Sequence, residues 1–280
     1  MPPMTRSPRS PRSPRSPRSL ARVALGLVLL VRTTALANLL PIPLAHVRGP
    51  LLGWPEPGFD LAWGGLVLPA SVRIALCVVR TVAALAFLLG LRARTAGLVA
   101  GTCGFLALSQ DPLGFVFTLY VLFAGTMVLA LTDAATDADE GSSTRLLTLF
   151  VASIYVYSAL AKLQGEWLSG RTLLALAEDG LLSGPIAALL IAHPALRAAA
   201  AVAVFLVELA LPALLLVART RRLGIGVALA LHASFELGAH PDVMGWVMAA
   251  LLFSVWRPAA AALRAASEQP AAAEARAPDP

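Results

Sequence analysis

The chain has 280 residues, of which 58% are hydrophobic and only 14% are charged. Soluble domains carry about 25% charged residues, so this composition excludes an ordinary soluble domain and indicates a protein embedded in a lipid bilayer. The net charge of +6 comes largely from an arginine-containing N-terminal tail. It does not form a basic patch on a folded domain, which argues against nucleic acid as a partner.

The N-terminal tail, residues 1–19, repeats a Ser-Pro-Arg unit. This unit offers no apolar face and its prolines remove helix hydrogen bonds, so we predict a disordered tail. The apolar run from Leu20 to Ala37 follows, and its end, "TALAN", is similar to a signal-peptide cleavage site. A cleaved signal peptide and an uncleaved first span are the alternatives, and we favour the span because the residues downstream are also hydrophobic.

Seven further apolar segments follow a region at 38–60 whose prolines and glycines exclude a spanning helix. These segments cover roughly 70–90, 96–110, 112–132, 145–163, 196–218, 223–238 and 243–257. The predicted fold is therefore all-α, a polytopic integral membrane helical bundle of about eight spans over residues 20–257. Residues 258–280 are rich in alanine, proline and charge, which predicts a disordered C-terminal tail.

The distribution of arginine between the spans predicts the orientation of the bundle, since short cytoplasmic loops carry an excess of Lys and Arg. With the N-terminus inside, three arginine-bearing turns or helix ends fall inside. Those turns hold Arg92, Arg94, Arg219, Arg221, Arg222 and Arg257. We therefore expect a multi-pass protein of a bacterial plasma (inner) membrane with both termini cytoplasmic.

Polar residues collect at the side of the bundle that this orientation places outside. They are Gln110, Asp111, Lys162, Glu166, Trp167, His232, Glu236, His240 and Asp242. Such a one-sided collection predicts a cavity that opens outward and binds a substrate. The alternative is that turns between helices are polar in any case, which accounts well for Asp111, His240 and Asp242.

His232 and Glu236 lie inside a predicted span, where an ionisable side chain is costly and normally faces the bundle interior. Their spacing of four places them on one helical face. The alternatives are a catalytic role and a hydrogen-bonded pair in the core. A metal site that adds His240 is disfavoured, because Gly238 and Pro241 are expected to end the helix first. We therefore predict no metal.

Lys162 is the only lysine among the 22 basic residues. An ammonium group can lose its proton when it is desolvated, whereas a guanidinium effectively cannot. We therefore expect Lys162 to act as a base or as a ligand anchor at the end of the fifth span. The alternative is a lysine that extends its ammonium group to the membrane surface.

Three further charges are predicted to lie inside the bundle. Arg73 and Arg80 are seven residues apart, hence on one face of the second span, and Glu208 lies deep in the sixth. A buried arginine requires a carboxylate partner. The sequence therefore predicts a structural charge pair between Glu208 and one of these arginines.

Three stretches of the chain resemble a known family. They are "FLLGLRART" at 87–95, "ALAKLQGEWLSG" at 159–170 and "LHASFELGAHPDVMGWVM" at 231–248. Their order and separation are similar to those of the vitamin K-dependent gamma-carboxylase membrane domain and its bacterial relatives, the horizontally transferred transmembrane (HTTM) domain proteins. The resemblance extends over most of residues 20–257.

This resemblance implies roles for particular residues. The lysine that matches Lys162 acts in the carboxylase as a base on a reduced quinone, which makes a reduced quinone the candidate cofactor. Gln110 and Asp111 stand where the family has an Asn-His pair that assists this chemistry. Some HTTM relatives accompany the production of exported antimicrobial peptides, so a small exported peptide is a further candidate partner.

The leading functional hypothesis is an HTTM-type membrane protein that acts on a quinone, a lipid or an exported peptide. In it, Lys162, His232 and Glu236 are the candidate catalytic residues. A transporter that uses Arg73, Arg80 and Glu208 as a substrate path is the first alternative. A DoxX-like redox accessory protein is the second, although the chain lacks the expected cysteine pair.

Overall fold

The computed structural model of the protein describes residues 17–33, 69–109, 117–133, 140–182, 184–238 and 243–256. These residues form eleven α-helices. The helices are α1 (Pro17–Thr33), α2 (Ala70–Leu89), α3 (Ala93–Ser109), α4 (Phe117–Asp133), α5 (Glu140–Ala161), α6 (Gly165–Leu168), α7 (Arg171–Glu178), α8 (Gly184–Ala192), α9 (Pro194–Leu216), α10 (Arg221–Gly238) and α11 (Val243–Ser254).

Each of the eight predicted spans corresponds to one long helix, so the all-α fold class is confirmed for the described residues. Two of these helices are long and apolar enough to cross a bilayer, Gly141–Ala161 and Pro194–Leu216. Four shorter helices are also apolar: Ile74–Leu89, Ala93–Leu108, Phe117–Thr132 and Val243–Ser254. The number of eight spans stays a prediction.

The first helix begins earlier than the sequence suggested. Residues 17–19 were assigned to the disordered tail, but α1 starts at Pro17. Proline suits the first helical position, since its missing N–H would have no intrahelical partner there and its fixed φ is helical. The rest of the N-terminal tail, and the whole of the C-terminal tail, lie outside the described residues.

Close helix packing builds the part of the bundle that contains α2, α3 and α4. Gly97 allows this approach, because a Cβ atom at Gly97 would lie 2.6 Å from Ala130 Cβ and 2.7 Å from the Phe87 ring. Small residues at helix interfaces bring backbones together in membrane proteins. Helix α11 packs against α1, α4 and α10, and its Met248 and Leu251 are fully buried in the core.

Arginine side chains join helix ends at one end of the bundle. Arg18 at the start of α1 donates to Thr132 O at the end of α4 and to Thr144 Oγ1 near the start of α5, at 3.2 and 2.9 Å. Arg222 at the start of α10 lies 6.0 Å from the Trp256 ring, just after α11. The ends of five helices therefore meet at this arginine-bearing end, which we call the basic end.

The segment between α5 and α9 forms three short helices that the sequence did not predict. Helices α6, α7 and α8 pack on one another in order and all three contact α9. Gly170 precedes α7 with φ of 77°, a backbone conformation that favours glycine. We call residues 163–182 and 184–193 the cap, because they lie along α9 at the end opposite to the basic end.

Candidate functional site

One face of α5 supplies the first residues of the candidate site. Tyr155 and Ser158 precede Lys162 by seven and four residues, which places all three side chains on the same side of the helix. Lys162 Nζ donates to Ser158 Oγ at 2.7 Å. The apolar segment thus ends in a short polar row that faces the bundle interior.

A buried ion pair joins this row to α9. Lys162 Nζ lies 2.8 Å from Glu208 Oε2, and the two side chains are only 14% and 5% exposed. The alternative that Lys162 extends to the membrane surface is therefore wrong. Glu208 therefore pairs with Lys162 and not with Arg80, because α9 packs against α5 while α2 packs against α1 and α3.

The local chemistry of α9 makes the surroundings of Glu208 unusually polar. Pro212 lies inside the helix and has no N–H to donate to the carbonyl oxygen of Glu208, four residues earlier. The side-chain atom Glu208 Oε2 is buried and faces the ammonium group without the angle of a hydrogen bond. The backbone carbonyl oxygen of Glu208 and its side-chain oxygen Oε2 can therefore each accept a further hydrogen bond.

Trp167 of α6 covers Lys162 on the side of the cap. Its ring centroid lies 4.9 Å from Lys162 Nζ, within the range of a cation–π interaction. Its indole Nε1 donates to Ala201 O on α9 at 3.1 Å, which fixes the ring. The adjacent Glu166 is exposed. Of these two predicted substrate-binding residues, Trp167 thus joins the site and Glu166 lies at the surface of the cap.

His232 brings α10 into the same cluster. Its Nε2 lies 3.0 Å from the hydroxyl of the fully enclosed Tyr155, and Phe235 packs edge-on against the imidazole at 6.2 Å between ring centroids. His232 interacts electrostatically with Lys162, and Tyr155 with Glu208. Two polar pairs, Lys162–Glu208 and Tyr155–His232, therefore form one buried cluster, which we call the Lys162 cluster.

Glu236 lies on the next turn of α10 but is directed toward α11. A Cβ atom at Gly245 would lie 2.9 Å from Glu236 Cγ and 3.0 Å from its Cδ, so the carboxyl group occupies the space above this glycine. Helix α10 ends at Gly238, as the sequence predicted. The catalytic role of Glu236 stays a prediction.

The Lys162 cluster lies deep in the bundle. Glu208 is the fifteenth residue of α9, which places it about 21 Å along the helix axis from Pro194 at the cap end. The sequence placed Lys162 at the outer surface of the bundle, but α6, α7 and α8 extend past it along α9. The cluster is therefore a covered interior site.

Several predicted site residues do not belong to the cluster as the structure describes it. Gln110, Asp111 and His240 lie outside the described residues, as does Asp242. Of Arg73 only the backbone is described, within α2. Arg80 is buried and interacts electrostatically with Cys77 and Cys103. Among the described residues, no group of three metal-ligating side chains comes together.

Sequence reasoning missed Tyr155 and Ser158, although their spacing from Lys162 carried a signal. A row of polar side chains at intervals of three and four in an apolar helix marks the face that points into the bundle. The pairing of Lys162 with Glu208 had no such signal, because the two residues are 46 positions apart and meet only through helix packing.

A cluster of this composition can hold and move protons away from water. It contains an ammonium–carboxylate pair, a phenol and an imidazole, and all four groups are buried or nearly so. In a low-dielectric interior, such groups interact strongly and exchange protons with a bound polar ligand more readily than with solvent. The fold and the site thus define a helical membrane protein with a buried polar centre.

Comparison with known protein families gives a match to part of the chain. The family model of the HTTM domain matches residues 141–257, which include every residue of the Lys162 cluster. This part of the chain matches the HTTM domain, so the resemblance drawn from the sequence is confirmed over residues 141–257 and is consistent with an HTTM family member. No curated protein and no solved structure shows a significant match.

Proposed function

We propose that the chain is a membrane enzyme in which the Lys162 cluster removes a proton from a hydroxyl group of a bound reduced quinone. The observation that supports this proposal is the burial of the Lys162–Glu208 ion pair beside the Tyr155–His232 pair. A purely structural ion pair needs no phenol and no imidazole within electrostatic range. The location in a bacterial inner membrane, with both termini cytoplasmic, is part of the same proposal.

The ion pair provides a route for Lys162 to act as a base. Transfer of one proton across the 2.8 Å contact, from the Lys162 ammonium to the Glu208 carboxylate, gives a neutral amine beside a neutral acid. The amine then accepts the proton of a ligand hydroxyl and becomes an ammonium next to the ligand anion. An arginine cannot perform this step, since its guanidinium keeps its proton.

The residues around the pair fit a planar ligand that bears a hydroxyl group. Glu208 Oε2 lies 2.8 Å from Lys162 Nζ, and a carboxylate oxygen can accept a further hydrogen bond from such a group. The Trp167 ring borders the ammonium, and Phe235 borders His232, so aromatic surfaces accompany the polar atoms. A reduced quinone bound here would supply the electrons for a reaction with oxygen.

The Tyr155–His232 pair has a positioning role in this proposal. Its hydrogen bond of 3.0 Å links α5 to α10 and holds the imidazole within electrostatic range of Lys162. The phenol and the imidazole then act as neutral neighbours that orient the ligand and limit access of water.

Oxygen consumption by the purified full-length protein with a reduced naphthoquinone tests the proposal. We expect wild-type protein to accelerate oxygen consumption. Lys162→Ala and Lys162→Arg should lower this rate at least about 100-fold, which is the effect of removing a general base. Glu178→Gln, at an exposed carboxylate in α7, is the matched control and should keep the wild-type rate. A Lys162→Arg protein that is as active as wild type would refute a role as base.

A further inference from the structure

A second charged group is buried beside the cap, away from the Lys162 cluster. Arg197 in the first turn of α9 is only 9% exposed. Its Nη1 donates to Leu190 O at 3.3 Å, while its Nε is buried without a hydrogen bond. Within the described part of the chain, no carboxylate lies at ion-pairing distance from this guanidinium.

The N-terminus of α9 adds positive potential at the same place. The helix has 23 residues, carries no acidic residue in its first turn, and its N-cap His193 makes no side-chain capping hydrogen bond. The free N–H groups of a helix N-terminus bind anions, and the helix dipole favours negative charge there. Arg197 and this helix end therefore both favour negative charge in the same region.

The neighbouring helix approaches the same residue. Gly170 precedes α7 and lies so close that a Cβ atom there would be 2.8 Å from Arg197 Cγ and 3.0 Å from Ala198 N. Gly170 is the N-cap of α7 and has no side chain, so it leaves space for Arg197. The start of α7, the start of α9 and the side chain of Arg197 therefore lie close together beside the cap.

We propose that Arg197 and the N-terminus of α9 bind the phosphate group of a membrane phospholipid. A guanidinium fits a phosphate through two parallel hydrogen bonds, and Nε with one Nη is the usual pair of donors. A lipid is favoured over free phosphate because α8, which holds Leu190, exposes apolar side chains to the surroundings. Ile186, Leu189 and Ile191 are 47%, 49% and 46% exposed, which suits contact with acyl chains.

Lipid titration of the purified full-length protein, followed by native mass spectrometry, tests this site. Phosphatidylglycerol is the probe, dioleoylglycerol is the lipid without phosphate, and inorganic phosphate is the soluble anion. We expect Arg197→Gln to weaken binding of one phosphatidylglycerol about tenfold or more, because charge-assisted hydrogen bonds are lost. Arg197→Lys should weaken it less. Arg219→Gln, at an exposed arginine after the opposite end of α9, is the control and should bind as wild type does.

Three results would overturn the proposal. Equal binding by wild type and Arg197→Gln shows that Arg197 only ties α9 to the end of α8 through Leu190 O. An equal loss in Arg219→Gln shows diffuse attraction to anionic lipid. Displacement of the lipid by millimolar inorganic phosphate shows that the site takes a free anion.

A measurement on the wild-type protein keeps the test valid if Arg197→Gln fails to fold. Hydrogen exchange of Ala195 and Leu196 should slow when phosphatidylglycerol is added and stay unchanged with dioleoylglycerol, since only the former supplies an acceptor for their N–H groups. Pro194 has no N–H, and the N–H of Arg197 already donates to His193 O. Equal exchange with the two lipids would contradict the proposal. Neither experiment depends on the chemistry of Lys162.

Discussion

The buried pair of Lys162 and Glu208 predicts a large loss of stability when only one partner is changed. Glu208→Gln removes the carboxylate but keeps the size of the side chain, and leaves an ammonium that is 14% exposed without its counter-charge. Removing one partner of a buried pair costs about 3–5 kcal/mol. The remaining contact of Lys162 with Ser158 Oγ at 2.7 Å places the expected loss near the lower end, at about 3 kcal/mol.

Denaturant unfolding in detergent micelles, followed by circular dichroism, measures this loss. A double-mutant cycle with Lys162→Met separates the interaction energy of the pair from the contacts that each residue makes with its surroundings. We expect the double variant to recover much of the stability because no lone charge remains. Glu178→Gln is the control for loss of an exposed carboxylate. A Glu208→Gln protein within about 0.5 kcal/mol of this control would refute the ion pair as a stabilising contact.

Three further predictions concern other parts of the molecule. Tyr155→Phe should lower the free energy of unfolding by about 1–3 kcal/mol, since it leaves buried His232 without its 3.0 Å partner; an unchanged unfolding midpoint would contradict the hydrogen bond. Gly97→Ala should destabilise the packing of α3 by about 1–3 kcal/mol. Gly226→Ala is the control, since an added Cβ there has no neighbour within 4 Å, and its unfolding midpoint should stay at the wild-type value while that of Gly97→Ala falls. A topology reporter fused after Leu168 should be external, and a cytoplasmic signal would contradict the proposed orientation.

The helices could be predicted from the sequence because hydropathy is a local property. The runs that became α2 and α9 are apolar along most of their length, and their predicted bounds differ from the observed ones by only a few residues. The three helices of the cap could not be predicted in this way. They have 4, 8 and 9 residues, too few for a span, and they are held in place by contacts with α9.

The members of the candidate site differ in how far the sequence revealed them. Lys162 and His232 were visible as rare ionisable residues in apolar surroundings, which is a property of each residue by itself. The partner of Glu208 was not visible, because the choice between Lys162 and Arg80 depends on which helix packs beside α9. Arg197 drew no attention in an arginine-containing chain, and only its burial distinguishes it.

Analysis of small molecules that co-purify with the protein tests the central claim most directly. Wild-type protein, Lys162→Ala and Lys162→Arg are purified from the same membrane, and their bound compounds are identified by mass spectrometry. If the Lys162 cluster binds a quinone, wild-type protein should retain the quinone and both variants should lose it, because the site needs an amine at this position. The same compounds in equal amounts on all three folded proteins would contradict a ligand at Lys162.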